Sequence, residues 1–290
     1  MKISFFTTCG NRLQHLKRTL PENIETNLKY KLCEHIILDY GSTDGMIEWV
    51  IETFPEYIKS GRLKLFRYDA DFFWHNHAKN MAAKCTSKNA DIICSIDADN
   101  YTALGPKGES LAWYLNRIFI DEERNVFVRA AGWDHQEENY MNDMYITDKN
   151  KYHSASGKLA FRREDFFKLR GFNEDLKGHY YDEEELWRRA VICWGWERKT
   201  LPVEFSKFIN HSNFLRLNNL DPKLVDKEKL LGESMIDLSV KDYMEDDLAL
   251  PVYPQAKKNK KIFEKVMEKK VKLPNGKKWG VGNPKRIKLK

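Results

Sequence analysis

Short apolar runs alternate with stretches of helical spacing over the first hundred residues, and this alternation limits the fold more than any other feature of the chain. Residues 2–7 have the pattern of a first strand. Residues 11–28 follow with Leu13, Leu16, Leu20, Ile24 and Leu28 at helical spacing, and Pro21 predicts a break or kink among them. Strands are expected at 34–39, 63–68 and 91–96, and helices at 46–54 and at the Ala-rich segment 76–85. A helix between two strands of one sheet closes as a right-handed crossover with the strands parallel. The expected class is therefore α/β, with a mixed, mostly parallel central sheet and helices on both faces. At 290 residues the chain suffices for one large domain or two small ones.

Beyond residue 125 the pattern is less regular. Strands are expected at 126–131, 157–161 and 202–208, helices at 164–168 and 183–194, and peripheral helix over 222–250. The net charge of +6 conceals an asymmetry: residues 256–290 carry 14 Lys/Arg against 2 Asp/Glu, which leaves 35 basic and 41 acidic residues before them. A mildly acidic globule thus carries a basic tail, with a helix expected at 260–270 and loop at 274–284. Such a tail is either a solvated Lys-rich end or a surface for a polyanion, be it nucleic acid, acidic lipid headgroups or an anionic glycan.

No stretch approaches the roughly 20 apolar residues of a membrane span, and the first residues are too poor in apolar side chains for a signal peptide. Cys9, Cys33, Cys85, Cys94 and Cys193 are odd in number and form no CxxC pair. They read as reduced, mostly buried thiols of a cytoplasmic protein and argue against a cysteine zinc site.

Four segments carry candidate chemistry. Asp97-Ala98-Asp99 ends an apolar strand; residues i and i+2 of extended chain point the same way, so the carboxylates can converge on Mg²⁺ or Mn²⁺, or be two solvated turn aspartates. Asp39 through Gly45 is an acidic strand end followed by a Gly/Ser/Thr turn, suited to a base or ribose edge or to capping the next helix. Trp74 through Asn80 sets Lys79 near a helix start, where a cation can meet a diphosphate; His75 and His77 lack a neighbouring Cys or His cluster for zinc. Asp182-Glu183-Glu184-Glu185 opens a helix with four consecutive acids, whose mutual repulsion can lift one carboxyl toward the range of a general base. Tyr181 and Trp187 flank that run and suggest a pocket. His211 matters only if it converges on the aspartates, where imidazole favours Mn²⁺.

Together these segments resemble the family 2-like glycosyltransferases with the nucleotide-diphospho-sugar (GT-A) fold, with a galactosyltransferase-type C-terminal segment. Asn11-Arg12 with Leu16 and Thr19-Leu20 is similar to their opening strand-to-helix pattern, and Leu38 through Gly45 to their D-x-G-S-x-D-G turn. His77-Ala78-Lys79-Asn80 resembles an A-R-N segment with Lys for Arg, and Asp97-Ala98-Asp99 the D-x-D metal motif. Gly171-Phe172-Asn173-Glu174-Asp175 through Arg189 resembles the G-F-x-E-D…G-x-x-x-E-D-x-D-L-x-x-R block, with the Glu-Asp order swapped to Asp182-Glu183. His211 stands where such enzymes have a late metal-ligating histidine.

The resemblance implies a GT-A domain over residues 1–215, with a nucleotide-sugar half (1–125) and an acceptor and catalytic half (126–215), then a helical extension (216–255) and the basic tail (256–290). It implies a metal-dependent, inverting sugar transfer from a nucleotide-diphospho-sugar, a UDP-sugar in the first instance. Thr8, Asn11, Arg12, Asp39, Ser42, Asp44, Lys79, Asn80 and Asp97 would bind the donor, Asp39 at the nucleobase or ribose. Asp97, Asp99 and His211 would hold Mn²⁺ or Mg²⁺. Glu183 takes the catalytic-base position, with Asp182 or Glu184 replacing it if the helix starts one residue off, and Tyr181, Glu184 and Trp187 face the acceptor. The acceptor is a glycan or a nucleic acid, such as hydroxylated bases of phage-type DNA reached through the tail. Two other functions compete. A sugar-phosphate nucleotidyltransferase would use the same aspartates, but residues 7–12 make a poor triphosphate loop. A non-enzymatic nucleic-acid-binding protein would leave the acidic constellation unused.

Overall fold

In the computed structural model, residues 1–122, 125–130, 157–209, 219–226 and 254–289 are described. The chain opens with four parallel strands, β1 (Ile3–Cys9), β2 (Cys33–Tyr40), β3 (Leu63–Tyr68) and β4 (Ile92–Ser95), in the order β3-β2-β1-β4. The connections carry α1 (Leu13–Thr26), the pair α2 (Met46–Thr53) and α3 (Pro55–Lys59), and α4 (His75–Cys85). Pro21 lies inside α1 without ending it. A proline removes one helical hydrogen bond, and burial of Leu16, Leu20 and Ile24 along one face carries the helix through.

The second half widens the sheet. After α5 (Leu111–Asp121) come β5 (Val126–Arg129) and β6 (Leu159–Arg162), and β6 runs antiparallel to both β4 and β5. Two helices follow, α6 (Arg163–Leu169) and α7 (Asp182–Trp194), and then β7 (Glu197–Thr200), parallel to β5. The strand expected over 202–208 is instead a 3₁₀ turn at Val203–Ser206, and the edge strand lies just before it. Fully buried Lys158 curls this turn by donating to the carbonyls of Phe205 and Lys207, at 2.5 and 3.2 Å. Both faces of the sheet are covered because side chains alternate along each strand. Phe6 packs on one face with Leu186 and Phe172, while Ile3 and Phe5 pack on the other with Leu111 and Phe119.

The basic tail is built into this body. Its helix α8 (Gln255–Glu268) packs on α7, and its last strand, β8 (Lys285–Ile287), adds antiparallel to β3. Between them Trp279 is 6% exposed, wedged against Phe166 and Phe167 with the Lys84 ammonium 4.3 Å above its ring. Asn275 ties the same stretch to the carbonyls of Arg170 and Phe172. The lysines point outward: every Lys and Arg from Lys257 to Lys288 is exposed. Of the helical extension expected at 216–255, residues 219–226 are described and form turns, residues 254–255 lead into α8, and the rest lies outside the described residues. Among the described residues no helix is long and apolar enough to cross a membrane, and all five cysteines are unpaired.

Since Trp279 closes the core between α4 and α6, Trp279→Ala should destabilise the protein by about 3–5 kcal/mol, the usual cost of emptying a buried aromatic site. Urea denaturation measures this; an unchanged midpoint would mean that the tail contributes nothing to the core.

Candidate active site

A cavity of about 260 Å³ opens where β1 and β4 end. Ligands in open α/β sheets sit at such carboxyl ends. Thr8 comes from β1, Asp97, Ala98 and Asp99 from the turn after β4, and Gly10, Arg12 and His15 from the entry to α1. The opposite wall is Phe73 and His75 at the start of α4, and His179, Tyr180, Asp182 and Glu183 at the start of α7.

The floor is a chain of ion pairs. Lys79, 1% exposed, reaches Asp97 Oδ1 at 2.9 Å and also binds Glu183 Oε1. His75 Nδ1 pairs with Asp182 Oδ2. Burial alone would lower the Lys79 pKa, but Asp97 and Glu183 hold it above its usual value. Burial likewise opposes the charge on Asp182, yet His75 and Lys79 bring its carboxyl well below the carboxylate range. Glu183 goes the other way: burial and the neighbouring Asp182 charge push it up to about 7, against the pull of Lys79.

The four acids at the head of α7 thus meet four environments. A helix turns about 100° per residue, so consecutive side chains face different neighbours. Asp182 meets His75, Glu183 meets Lys79, Glu184 reaches Arg188 near the surface, and Glu185 pairs with Arg189 where neither is exposed. Arg189 also donates to the carbonyls of Leu169 and Gly171, at 2.9 and 2.7 Å, which fixes the helix to the turn before it.

Of the residues singled out from the sequence, Thr8, Arg12, Asp97, Asp99, Asp182 and Glu183 line the cavity. Asp39, Ser42, Asp44 and Asn11 form a knot beside it. Asp39 is fully buried, accepts from Ser42 N at 2.9 Å and binds Arg67; Ser42 Oγ accepts from Asn11 N at 3.0 Å; Asp44 accepts from Leu13 N at 2.8 Å. Gly41 is required in this turn, because φ is +75° and a Cβ would lie 2.2 Å from the Ala70 carbonyl oxygen. Asn80 is also fully buried and faces the Phe172 backbone and Glu174 instead of the cavity. Tyr181 stacks on Phe263 of α8, Trp187 lies under the guanidinium of Arg129, and neither lines the cavity, as Glu184 does not. His211 lies outside the described residues.

Sequence reasoning missed His75, His179 and Tyr180. His75 has no partners near it in sequence; they come from the turn after β4 and from the loop before α7 and its first turn: His75, His179 and Asp182, and equally His75, Asp97 and Glu183, bring ligand atoms within 4.8 Å of one another. His77 faces away, toward the Tyr40 hydroxyl and the Val281 carbonyl. For a divalent ion the donor chemistry fits: Asp97 and Asp99 are hard oxygen ligands, and both line the cavity. Gly157 leaves room for Asp97, since a Cβ there would lie 1.9 Å from Asp97 Oδ2.

No family model and no curated protein matches the chain. Solved structures do. The mannosyltransferase PcManGT from Pyrobaculum calidifontis, in complex with GDP-Man and Mn²⁺, superposes with a TM-score of 0.51 at 20% identity over 69% of this chain and 55% of that one. GalNAc-T7, with UDP, GalNAc and Mn²⁺, gives a TM-score of 0.53 at 16% identity over 92% of this chain and 54% of that one. The chain spans about half the length of each. At such identities the likeness is one of fold, and the strand order, the cavity at the strand ends and these superpositions agree: the chain has the GT-A, Rossmann-like fold of nucleotide-sugar glycosyltransferases.

Proposed function

We propose that this protein is a metal-dependent glycosyltransferase that moves a sugar from a nucleotide-diphospho-sugar to an acceptor hydroxyl with inversion. The observation that carries the reading is the meeting of Glu183 with Asp97 across Lys79, which puts a poised base beside two metal-type carboxylates in one cavity of this fold. Asp97 and Asp99, joined by His211 from outside the described residues, would hold Mn²⁺ or Mg²⁺. The ion, when bound, neutralises charge developing on the leaving diphosphate. The nucleotide part lies toward Thr8, Arg12 and the Asp39–Asp44 knot. Glu183 takes the proton of the acceptor hydroxyl as that oxygen attacks the anomeric carbon. Lys79 keeps the Glu183 carboxylate aimed, and Asp182, held ionised by His75, raises its basicity.

The cationic face of the C-terminal segment supports a polyanionic acceptor, and duplex DNA with hydroxylated bases is the acceptor we put forward. The lysines stand on a frame fixed by Trp279 and Asn275, so their charges are held in place on the folded body.

A nucleotide-sugar panel scored by donor hydrolysis identifies the donor. With it, Glu183→Gln should lose about 10²–10⁴-fold in kcat, the range of general-base catalysis; full turnover would end the assignment. A base must be deprotonated to act, so kcat should rise as pH passes through about 7 and level off above it. Excess EDTA should abolish transfer and added Mn²⁺ restore it; activity surviving chelation would remove the aspartates from metal binding. Since truncation would take Trp279 from the core, the acceptor is tested by charge: replacing Lys257, Lys258, Lys260 and Lys261 with Gln should weaken duplex DNA binding in gel shifts. The log–log salt slope should also flatten, by roughly 0.9 for each phosphate that a lysine no longer neutralises. Equal affinity across the salt series would exclude this face from acceptor binding.

A further inference from the structure

The segment that carries His179 and Tyr180 into the cavity is strained. Gly178, Tyr180 and Tyr181 have φ of +69°, +73° and +67°. Glycine adopts such angles freely, but two successive tyrosines do so only when their surroundings impose it. Those surroundings come from the other end of the chain. Asn259 of α8 is fully buried, and its side-chain amide donates to the carbonyls of Lys177 and His179, both at 2.8 Å, with a weaker contact to Tyr180 at 3.4 Å. Its Oδ1 accepts from Lys177 N at 3.2 Å and from Gln255 Nε2 at 3.1 Å. Every hydrogen-bonding group of this side chain is therefore used within or behind the segment. One helical turn on, Phe263 stacks on Tyr181 with ring centroids 5.0 Å apart. Tyr181 is the residue from which α7 starts: its carbonyl accepts from Glu185 N at 2.8 Å, and Asp182 and Glu183 follow at once.

We infer that Asn259 is a positioning residue: from the C-terminal segment it holds the 177–181 loop, with Gly178, Tyr180 and Tyr181 left-handed, in the conformation that sets the start of α7, and so aims Glu183 at the cavity. It touches none of the reacting groups and acts through the backbone of this loop. The inference rests on the glycosyl-transfer reading only for its kinetic consequence; the conformational claim stands without it. The basic segment thus has two separable roles, one in its buried amides and one in its exposed lysines.

The test uses the full-length protein with Asn259→Asp, which keeps the size and the acceptor oxygen but removes both N–H donors. In hydrogen exchange followed by mass spectrometry, amides of residues 178–185 should exchange at least tenfold faster than in the wild type, while those of β1 and β2 keep their rates. With the donor found by the panel, kcat should fall at least tenfold and donor KM change less than threefold, because the nucleotide end is built from β1 and β2. General loss of folded protein would speed exchange everywhere. Unchanged exchange at 178–185 overturns the inference whatever the activity. Local loosening with unchanged kcat overturns the positioning role. A wild type that transfers no sugar, with the local exchange effect intact, refutes the functional reading and leaves the loop clamp standing. Should Asn259→Asp fail to fold, Phe263→Leu removes the stacking on Tyr181 and is read by the same two measurements.

Discussion

The site depends on one buried ammonium. Lys79 reaches from α4 to Asp97 beyond β4 and to Glu183 at the head of α7, and so joins the parallel strands to the second half of the chain. Buried charge is tolerated only when it is paired. Two cationic partners, Lys79 and His75, stand against the three carboxyls of Asp97, Asp182 and Glu183, the last pushed up to about 7 by burial and the Asp182 charge. That imbalance has a chemical use. With full compensation Glu183 would be an ordinary ionised carboxylate; with none, a permanently protonated one. Partial compensation leaves it near neutrality, where it can accept a proton and release it again. The same deficit favours a further cation at the cavity, which is what a divalent metal bound by Asp97 and Asp99 would provide.

Lys79 also couples distant parts of the chain. Asp97, from the turn after β4, and Glu183, from α7, both pair with its enclosed ammonium, so losing either carboxylate leaves a buried charge less compensated. Breaking such a buried pair typically costs about 3–5 kcal/mol, a large share of the stability of a domain. The strands and helices before residue 125 and α7 are thus coupled electrostatically across the cavity floor.

What was legible in the sequence follows from where each signal resides. The parallel half was readable because β1, β2 and β4 are buried along their whole length and each holds a short apolar run, such as Phe5-Phe6, Ile36-Ile37-Leu38 and Ile92-Ile93. The edge strands were not: β7 is Glu-Arg-Lys-Thr and β8 is Lys-Arg-Ile, half or fully exposed, with no apolar alternation to detect. The run at 202–208 looked like a strand because Val203, Phe205 and Phe208 are apolar, but Lys158 bonds its carbonyls from within and winds it into a turn. Asp97, Asp99 and Glu183 declared themselves through local context, two by i, i+2 spacing and one by an acid run at a helix start. His75 did not, because its partner stands 107 residues away and no local pattern encodes that distance. Asp39 and Asn80 match a pattern of donor-binding residues; in the fold Asp39 holds Ser42 N and Arg67, and Asn80 holds the Phe172 backbone and Glu174.

The C-terminal segment is the sharpest case, because charge counting and burial report on opposite sides of it. Thirteen exposed basic residues dominate any average, while Ala256, Asn259, Val266, Asn275 and Trp279, spread among them, make the inward contacts. A lysine stem can lie along the body while its head stays in water, so a charge run does not forbid docking; it only hides the few positions that dock. Two of those five are asparagines whose amides bind backbone carbonyls, Asn259 at the loop that lines the cavity and Asn275 at the turn after α6. An apolar residue there would satisfy hydropathy and leave those carbonyls buried without partners. The segment is therefore held by hydrogen bonding at the cavity-lining loop and by aromatic packing and hydrogen bonding where it meets the core. That division lets its outer face remain wholly cationic without weakening its hold on the site.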